Sequence, residues 1–169
     1  MLFDDDLPVH YGFFYLSSSP ETPEDLVECR LGQVNGLCGA AVEHTLSMVT
    51  GLHTGEVPLC VEWHEASPTL GEGWEDVVEV SVEFPASEVP LSSFEDGFRL
   101  QLPGTGWHRV RYCGKQMDAG HEVDTPDEGQ AAPDAYLVQL WPAPPEPDRV
   151  VHQASQIAAY WHRLARNDP

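Results

Sequence analysis

A cysteine in a glycine-rich stretch is the first residue whose type and surroundings could do chemistry. Cys38 lies within Asn35-Gly-Leu-Cys-Gly39, and an exposed thiolate there could act as a nucleophile with His44 or His53 as its base. Such a cysteine needs a lowered pKa, which a neighbouring cation provides. Residues 31–98 contain no lysine or arginine, so the sequence favours a buried, protonated thiol.

A second candidate is a cation site in segment 113–134, which is rich in Gly, Asp, Glu and Pro. His121, Asp118 and Glu122 could supply nitrogen and oxygen ligands. The segment contains no His-Glu-x-x-His pattern, and the run from Asp124 does not match a calcium-binding loop. We therefore predict an acidic loop without a cofactor.

Motifs of common enzyme classes are absent from the sequence. There is no Gly-x-Ser-x-Gly elbow, no phosphate-binding loop and no dinucleotide fingerprint. The glycines of Gly104-Thr-Gly106 precede a strand pattern and not a helix, so they do not indicate a phosphate site. We expect a protein without enzymatic activity.

Negative charge is the most pronounced feature of the chain. The formal net charge is −20, and the twelve carboxylates between residues 43 and 96 have no basic residue among them. Most of these charges must face water or a basic partner. Such a surface repels a phosphate backbone and an anionic membrane. We therefore expect a basic protein partner, with no nucleic-acid or membrane binding, and the charge leaves the oligomeric state open.

The N-terminus and the cysteines indicate a cytoplasmic protein. Residues 1–6 lack the positive and apolar regions of a secretory signal, and no apolar run reaches the ~20 residues that span a bilayer. The four cysteines form no Cys-x-x-Cys pair. Four free thiols are expected in a reducing compartment, with a Cys29–Cys38 bridge as the alternative.

Alternating side chains predict the strands that must position these groups. The pattern is clearest over 77–84 and recurs over 57–64. Residues 9–16 are an aromatic-rich strand candidate. Residues 98–112 predict a hairpin around Pro103-Gly-Thr-Gly106.

The C-terminal region predicts a buried strand followed by a helix. Residues 136–141 alternate as a strand, and 142–147 form a proline-rich connector. Helical spacing of apolar residues over 148–166 predicts one helix with Asp148 as its N-cap. We predict a single domain, 1–169, which is mostly β: an antiparallel β-sandwich over 1–141, or an open barrel, with one C-terminal α-helix.

The partner-binding residues expected from this arrangement lie on polar strand faces and in the acidic loop. If the strands share a sheet, their outward carboxylates gather into one surface that steers a basic partner. The residues predicted to contact it are Glu62, Glu79, Glu83, Asp118, Asp124 and Asp127.

Two segments of the chain carry a family resemblance. The segment from Phe94 to Tyr112, with Leu100-Gln-Leu-Pro-Gly-Thr-Gly106 inside it, and Asp134-Ala-Tyr-Leu-Val-Gln-Leu-Trp141 resemble the closing strands of the competence DNA-entry nuclease inhibitor family. The ending Gln139-Leu-Trp-Pro-Ala-Pro144 also resembles an uncharacterised family from high-GC bacteria. The first resemblance implies a β-sandwich and an inhibitory role, and it assigns no site residues.

Three functions follow as expectations. The favoured one is a non-enzymatic acidic binding protein, such as an inhibitor or immunity factor for a basic protein like a nuclease. The alternatives are a metal- or thiol-dependent enzyme, and a sandwich that binds a small ligand behind a mouth closed by residues 113–134.

Overall fold

Two β-sheets stacked face to face form most of the structure. This computed structural model describes residues 1–21, 25–94 and 96–167, over which the chain forms eleven strands and two α-helices. The predicted mostly β sandwich with a C-terminal helix is confirmed, and the sheets do not close into a barrel. The elements are β1 (Phe3–Val9), β2 (Phe13–Ser17), β3 (Cys38–Gly39), β4 (Thr45–Val49), β5 (Gly55–Trp63), β6 (Asp76–Phe84), β7 (Glu88–Ser92), β8 (Gly97–Gln101), β9 (Gly106–Lys115), α1 (Met117–Val123), β10 (Ala135–Pro142), β11 (Arg149–His152) and α2 (Gln156–Arg166).

The strand order explains how distant parts of the chain meet. Sheet one has the order β1-β5-β10-β9-β6-β11, and sheet two has the order β3-β4-β2-β7-β8. Neighbouring strands are antiparallel except β5 and β10, which are parallel. A parallel pair needs a long crossover connection. The chain between β5 and β10 contributes β7 and β8 to sheet two before it returns.

The core lies between the sheets and follows the alternation seen in the sequence. In β5, Leu59 and Val61 point inward and are buried. In β6 the inward side chains are those predicted, and all are buried: Val78, Val80, Val82 and Phe84.

The predicted hairpin over 98–112 is wrong. β8 pairs with β7 in sheet two, whereas β9 pairs with β6 and β10 in sheet one. Residues 102–105 therefore carry the chain from one sheet to the other. Alternation of apolar and polar residues indicates which side chains face the core, as Leu100 and Val110 both do. It does not indicate which strand pairs with which.

The predicted loop over 113–134 is partly ordered into regular structure. β9 continues to Lys115, and α1 follows after Gln116, which adopts a left-handed conformation with φ 55°. Seven residues make a helix too short to be stable in isolation. Packing against the rest of the fold is therefore needed to hold α1, and no helical period announces it in the sequence.

The C-terminal helix begins later than predicted. α2 starts at Gln156, and Ser155 is its N-cap. Residues 149–152 instead form β11 at the edge of sheet one. Asp148, the predicted cap, accepts hydrogen bonds from the backbone and side-chain amides of Asn35 at 2.8 and 2.9 Å. In the described ranges, no helix is long and apolar enough to cross a bilayer.

α2 lies against the backbone of a glycine. A Cβ added to Gly36 would stand 1.9 Å from the carbonyl oxygen of Trp161. The amide of Gly36 also donates to Nδ1 of the buried His162 at 2.9 Å. Only glycine permits this approach, so Gly36 fixes how closely α2 docks.

We predict that Gly36→Ala destabilises the protein by about 2–3 kcal/mol, because the new methyl group must displace α2. Gly97→Ala is the matched control, since a Cβ there meets nothing closer than 4.0 Å. Urea unfolding followed by circular dichroism measures both. Equal unfolding midpoints for Gly36→Ala and the unsubstituted protein would contradict the close docking.

Candidate protein-binding surface

The carboxylate of Glu79 does not face a partner. Glu79 is only 2% exposed, on the outer side of sheet one. Arg111 Nε donates to its Oε1 at 3.0 Å, and Arg149 donates to its Oε2 at 2.6 Å. Arg109 lies 3.5 Å from the same Oε2. The prediction that Glu79 contacts a partner does not hold, because three arginines that lie beyond residue 98 neutralise it.

The charge of Glu79 is stabilised by these arginines. Burial alone would raise the pKa of this carboxyl, but hydrogen bonds and attraction from Arg149 and Arg111 outweigh burial and lower it. Glu79 is therefore a structural anion that holds β6, β9 and β11 together.

Glu62 belongs to the same polar network. Arg111 donates to Gln139 at 3.1 Å, and Gln139 donates to Glu62 at 3.0 Å. His64 Nε2 lies 2.7 Å from the same oxygen, Oε2, that accepts from Gln139. Burial would raise the pKa of Glu62, yet the hydrogen bonds from Gln139 and His64 lower it. The half-buried Glu83 lies elsewhere, beside the ring of His44.

One concentration of negative charge without lysine or arginine beside it lies at the β1 edge of sheet one and beside α1. Three hollows follow one another there, and no lysine or arginine lines any of them. The first hollow lies beside Asp4 and Asp5, the second beside Glu56 and Asp127, and the third between α1 and α2. Asp6 lines the first two hollows. The consecutive residues Thr125 and Asp124 line the second and the third. Over the described ranges, no carboxylate of these hollows forms an ion pair with lysine or arginine. We call these residues the acidic band: Asp4, Asp5, Asp6, Glu56, Asp118, Glu122, Asp124 and Asp127.

Three of the predicted partner-binding residues fall in the acidic band. Asp124 and Asp127 are exposed. Asp118 is half-buried, and its two oxygens accept the amides of Gln156 and Ile157 at 2.9 and 3.0 Å. Asp118 therefore caps α2 and attaches it to α1, which leaves little of its charge for a partner.

The third hollow is a cavity of about 660 Å³ between α1, α2 and the end of the sandwich. The candidate metal ligands His121, Asp118 and Glu122 all line it. They are not arranged as a metal site: within the residues that the structure describes, no three His, Cys, Asp or Glu side chains are placed to hold an ion. The segment predicted to close a ligand mouth does form one wall of this cavity.

An aromatic cluster borders the cavity and was not foreseen from the sequence. A turn at residues 10–12 splits the predicted strand 9–16 into β1 and β2. Tyr11 in this turn has φ 62° and is 56% exposed. Its ring lies 5.5 Å from that of His53 and 5.9 Å from that of Phe94, which is 62% exposed. The pair Tyr11-Gly12 was the available signal for the turn.

Cys38 is not placed as a nucleophile. It is fully buried, and burial raises the pKa of its thiol to about 12. His44 Nδ1 lies 2.8 Å from the carbonyl oxygen of Glu83, and His53 lines the cavity. The four cysteines are free thiols, so the Cys29–Cys38 bridge is not formed.

Comparison with known proteins shows a shared fold. No protein-family model matches the chain, and no curated protein sequence matches it significantly. Among solved structures it is similar to ComJ from Bacillus subtilis, described as the inhibitor of the DNA-degrading activity of NucA. The TM-score is 0.56, with 14% identity over 85% of this chain and 99% of ComJ. The product of crocagin biosynthetic gene J is similar too, with a TM-score of 0.56 and 15% identity over 85% of this chain and 98% of that one. The sequence resemblance to the nuclease inhibitor family is thus confirmed at the level of the fold.

We predict that Glu79→Gln destabilises the protein by about 3 kcal/mol, because Arg109 and Arg111 remain buried without a counter-charge. Glu88→Gln is the matched control, since that carboxylate pairs with the exposed Arg99, and its loss should be below about 0.5 kcal/mol. Urea unfolding at neutral pH measures both. Equal losses would contradict the structural role of Glu79.

The pH dependence of the same variant gives a second check. The folded pKa of Glu79 is lowered, so its stabilisation is present above the unfolded value of roughly 4.3 and is lost as the pH falls below it. The difference in unfolding free energy between Glu79→Gln and the unsubstituted protein should shrink towards roughly pH 3.

We predict that Cys38 reacts with iodoacetamide at neutral pH only after unfolding. Its raised pKa keeps the thiol protonated, and its burial excludes the reagent. The partly exposed Cys60, whose pKa is raised to about 11, is the internal comparison and should be labelled first. Peptide mass spectrometry measures both rates. Faster labelling of Cys38 than of Cys60 in the folded protein would refute this assignment.

Proposed function

We propose that this chain is a non-enzymatic acidic binding protein that inhibits a basic protein, such as a nuclease, through the acidic band. The observation that carries the proposal is the band itself: eight carboxylates in adjoining hollows with no lysine or arginine among them. A stable fold does not need such a concentration of like charge, which costs stability through self-repulsion.

A nuclease has the surface that would relieve this repulsion. Enzymes that act on DNA bind its phosphates with lysine and arginine, so their active-site clefts are basic. An acidic surface attracts such a cleft from a distance and competes with the nucleic acid for the same groups. Association would be fast at low salt and slower at high salt, because salt screens exposed charges.

The composition around the acidic band also suits a protein interface. Tyr11 and Phe94 expose large aromatic side chains beside the carboxylates. Buried aromatic anchors supply much of the affinity at protein interfaces, while charged rims supply rate and selectivity. Asp124 and Asp127 lie within the proposed contact surface. Glu62 and Glu83 lie outside it.

The fold supports an inhibitory role as a further argument. ComJ is described as an inhibitor of the NucA nuclease, and it has the same fold. At 14% identity the likeness transfers no residue, so the contact residues proposed for this chain rest on its own charge distribution.

We predict that the protein inhibits DNA cleavage by at least one member of a panel of purified bacterial nucleases with basic surfaces, NucA among them. The triple variant Asp4→Asn, Glu56→Gln, Asp127→Asn should slow association with that nuclease roughly tenfold at low salt, because it removes three steering charges. Stopped-flow association rates and DNA cleavage assays provide the measurements.

The matched control removes the same charge from another face. Glu65, Glu72 and Glu146 are exposed and line none of the hollows of the acidic band. Their triple replacement by glutamine should leave the association rate within about twofold. Equal slowing by both variants would show an effect of net charge alone, and absence of inhibition across the panel would overturn the proposal.

A further inference from the structure

The cavity between α1 and α2 combines aromatic walls with a negative rim. Tyr11, Tyr160 and Trp161 contribute aromatic side chains, and Val49 and Ile157 contribute apolar ones. At about 660 Å³ it falls within the range of small-ligand sites in proteins, roughly 300–1,000 Å³.

The N-terminus of α2 opens towards this cavity, and by itself it would attract an anion. The amides of its first turn already have hydrogen-bond acceptors. Asp118 accepts those of Gln156 and Ile157, and the hydroxyl of Ser155 accepts that of Ala158. Asp118 therefore offsets the helix dipole. Two further carboxylates line the cavity, and neither forms an ion pair with lysine or arginine in the described ranges.

Those two carboxylates are Glu122 and Asp124. The backbone carbonyl of Asp124 accepts the amides of His53 and Thr54, both at 3.1 Å, which holds the residue at φ 60°. With ψ −68°, this backbone conformation is rare for any residue. The bonds hold the backbone of Asp124 in place, and Asp124 lines the cavity. The basic groups in the lining are the imidazoles of His53 and His121.

We infer that this cavity receives an organic cation, a guanidinium or alkylammonium group on an apolar stem, from an exposed arginine or lysine of the protein partner. Aromatic faces attract such cations, and a carboxylate pair at the rim binds the charged head. The apolar walls take the stem. The assignment of the cation to the protein partner rests on the proposed function, because the acidic band continues from this cavity onto β1. The preference of the cavity for a cation rests on the cavity alone.

The first test uses small mimics and does not depend on any partner. Butylguanidine and hexylamine are titrated into the whole protein at about pH 8, where an ordinary imidazole is neutral. Two-dimensional NMR should show saturable shifts of the Trp161 indole and the Ile157 amide. Hexanol and hexanoate, which lack the cation, should bind at least about tenfold more weakly.

Variants at the cavity give the matched comparison. Glu122→Gln with Asp124→Asn replaces each carboxylate by an amide of nearly the same size, so it keeps the shape of the rim and should weaken both mimics about tenfold. Tyr160→Leu keeps an apolar wall and should weaken them roughly threefold. Glu65→Gln with Glu72→Gln removes the same charge outside the acidic band and should change affinity less than about twofold.

Equal weakening by the cavity variant and the control variant, or no saturable shift at Trp161, would overturn the inference.

The second test measures dissociation of a nuclease that the protein inhibits. Glu122→Gln with Asp124→Asn should speed that dissociation about tenfold. If the mimics bind at the cavity but dissociation is unchanged, the partner is not the source of the cation. If no nuclease is inhibited, the mimic titration still decides the cavity, so the two proposals fail separately.

Discussion

The buried carboxylate of Glu79 is the charge on which the packing of β6, β9 and β11 depends. A carboxylate buried on the outer face of sheet one is stable only if cations and hydrogen-bond donors replace the water it loses. Arg109, Arg111 and Arg149 fulfil that requirement, so one anion uses three of the eight basic residues in the chain. Twenty-eight acidic residues compete for those eight. Few basic residues remain for the other carboxylates, and none of the lysines and arginines lines the hollows of the acidic band.

A further basic residue, Arg30, is also withdrawn from the surface. Among the residues that the structure describes, no carboxylate pairs with the buried Arg30, which donates to the carbonyl oxygens of Leu26, Gly36 and Ser47 at 2.7, 2.6 and 3.0 Å. Its guanidinium also lies 5.2 Å from the ring of Trp161. Burial lowers the pKa of Arg30, and the carbonyl oxygens offset the cost of burying its charge. One cation thereby joins β4, α2 and the segment between β2 and β3.

Local patterns predicted the sandwich because alternation records burial directly, as the inward residues of β6 show. They could not predict which surfaces other segments cover. Glu79 faces outward from its strand as expected, yet arginines distant in sequence enclose it. The short helix α1 has no local signature, because its stability depends on tertiary packing. Among the predicted partner residues, Asp124 and Asp127 lie in the acidic band, where β1 and the end of α1 contribute charges that the strand patterns did not connect.

The strand order of sheet one also separates charges sideways across the molecule. The aspartates of β1 occupy one edge, whereas the arginines of β9 lie three strands away and Arg149 of β11 lies at the opposite edge. With strands spaced about 4.8 Å apart, these separations are roughly 14 and 24 Å. Because Glu79 is compensated by these arginines whereas the aspartates of β1 have no such partners, the field around this sheet is asymmetric. An approaching cationic macromolecule would experience a torque before contact, and the two bodies would rotate into alignment while still separated by water.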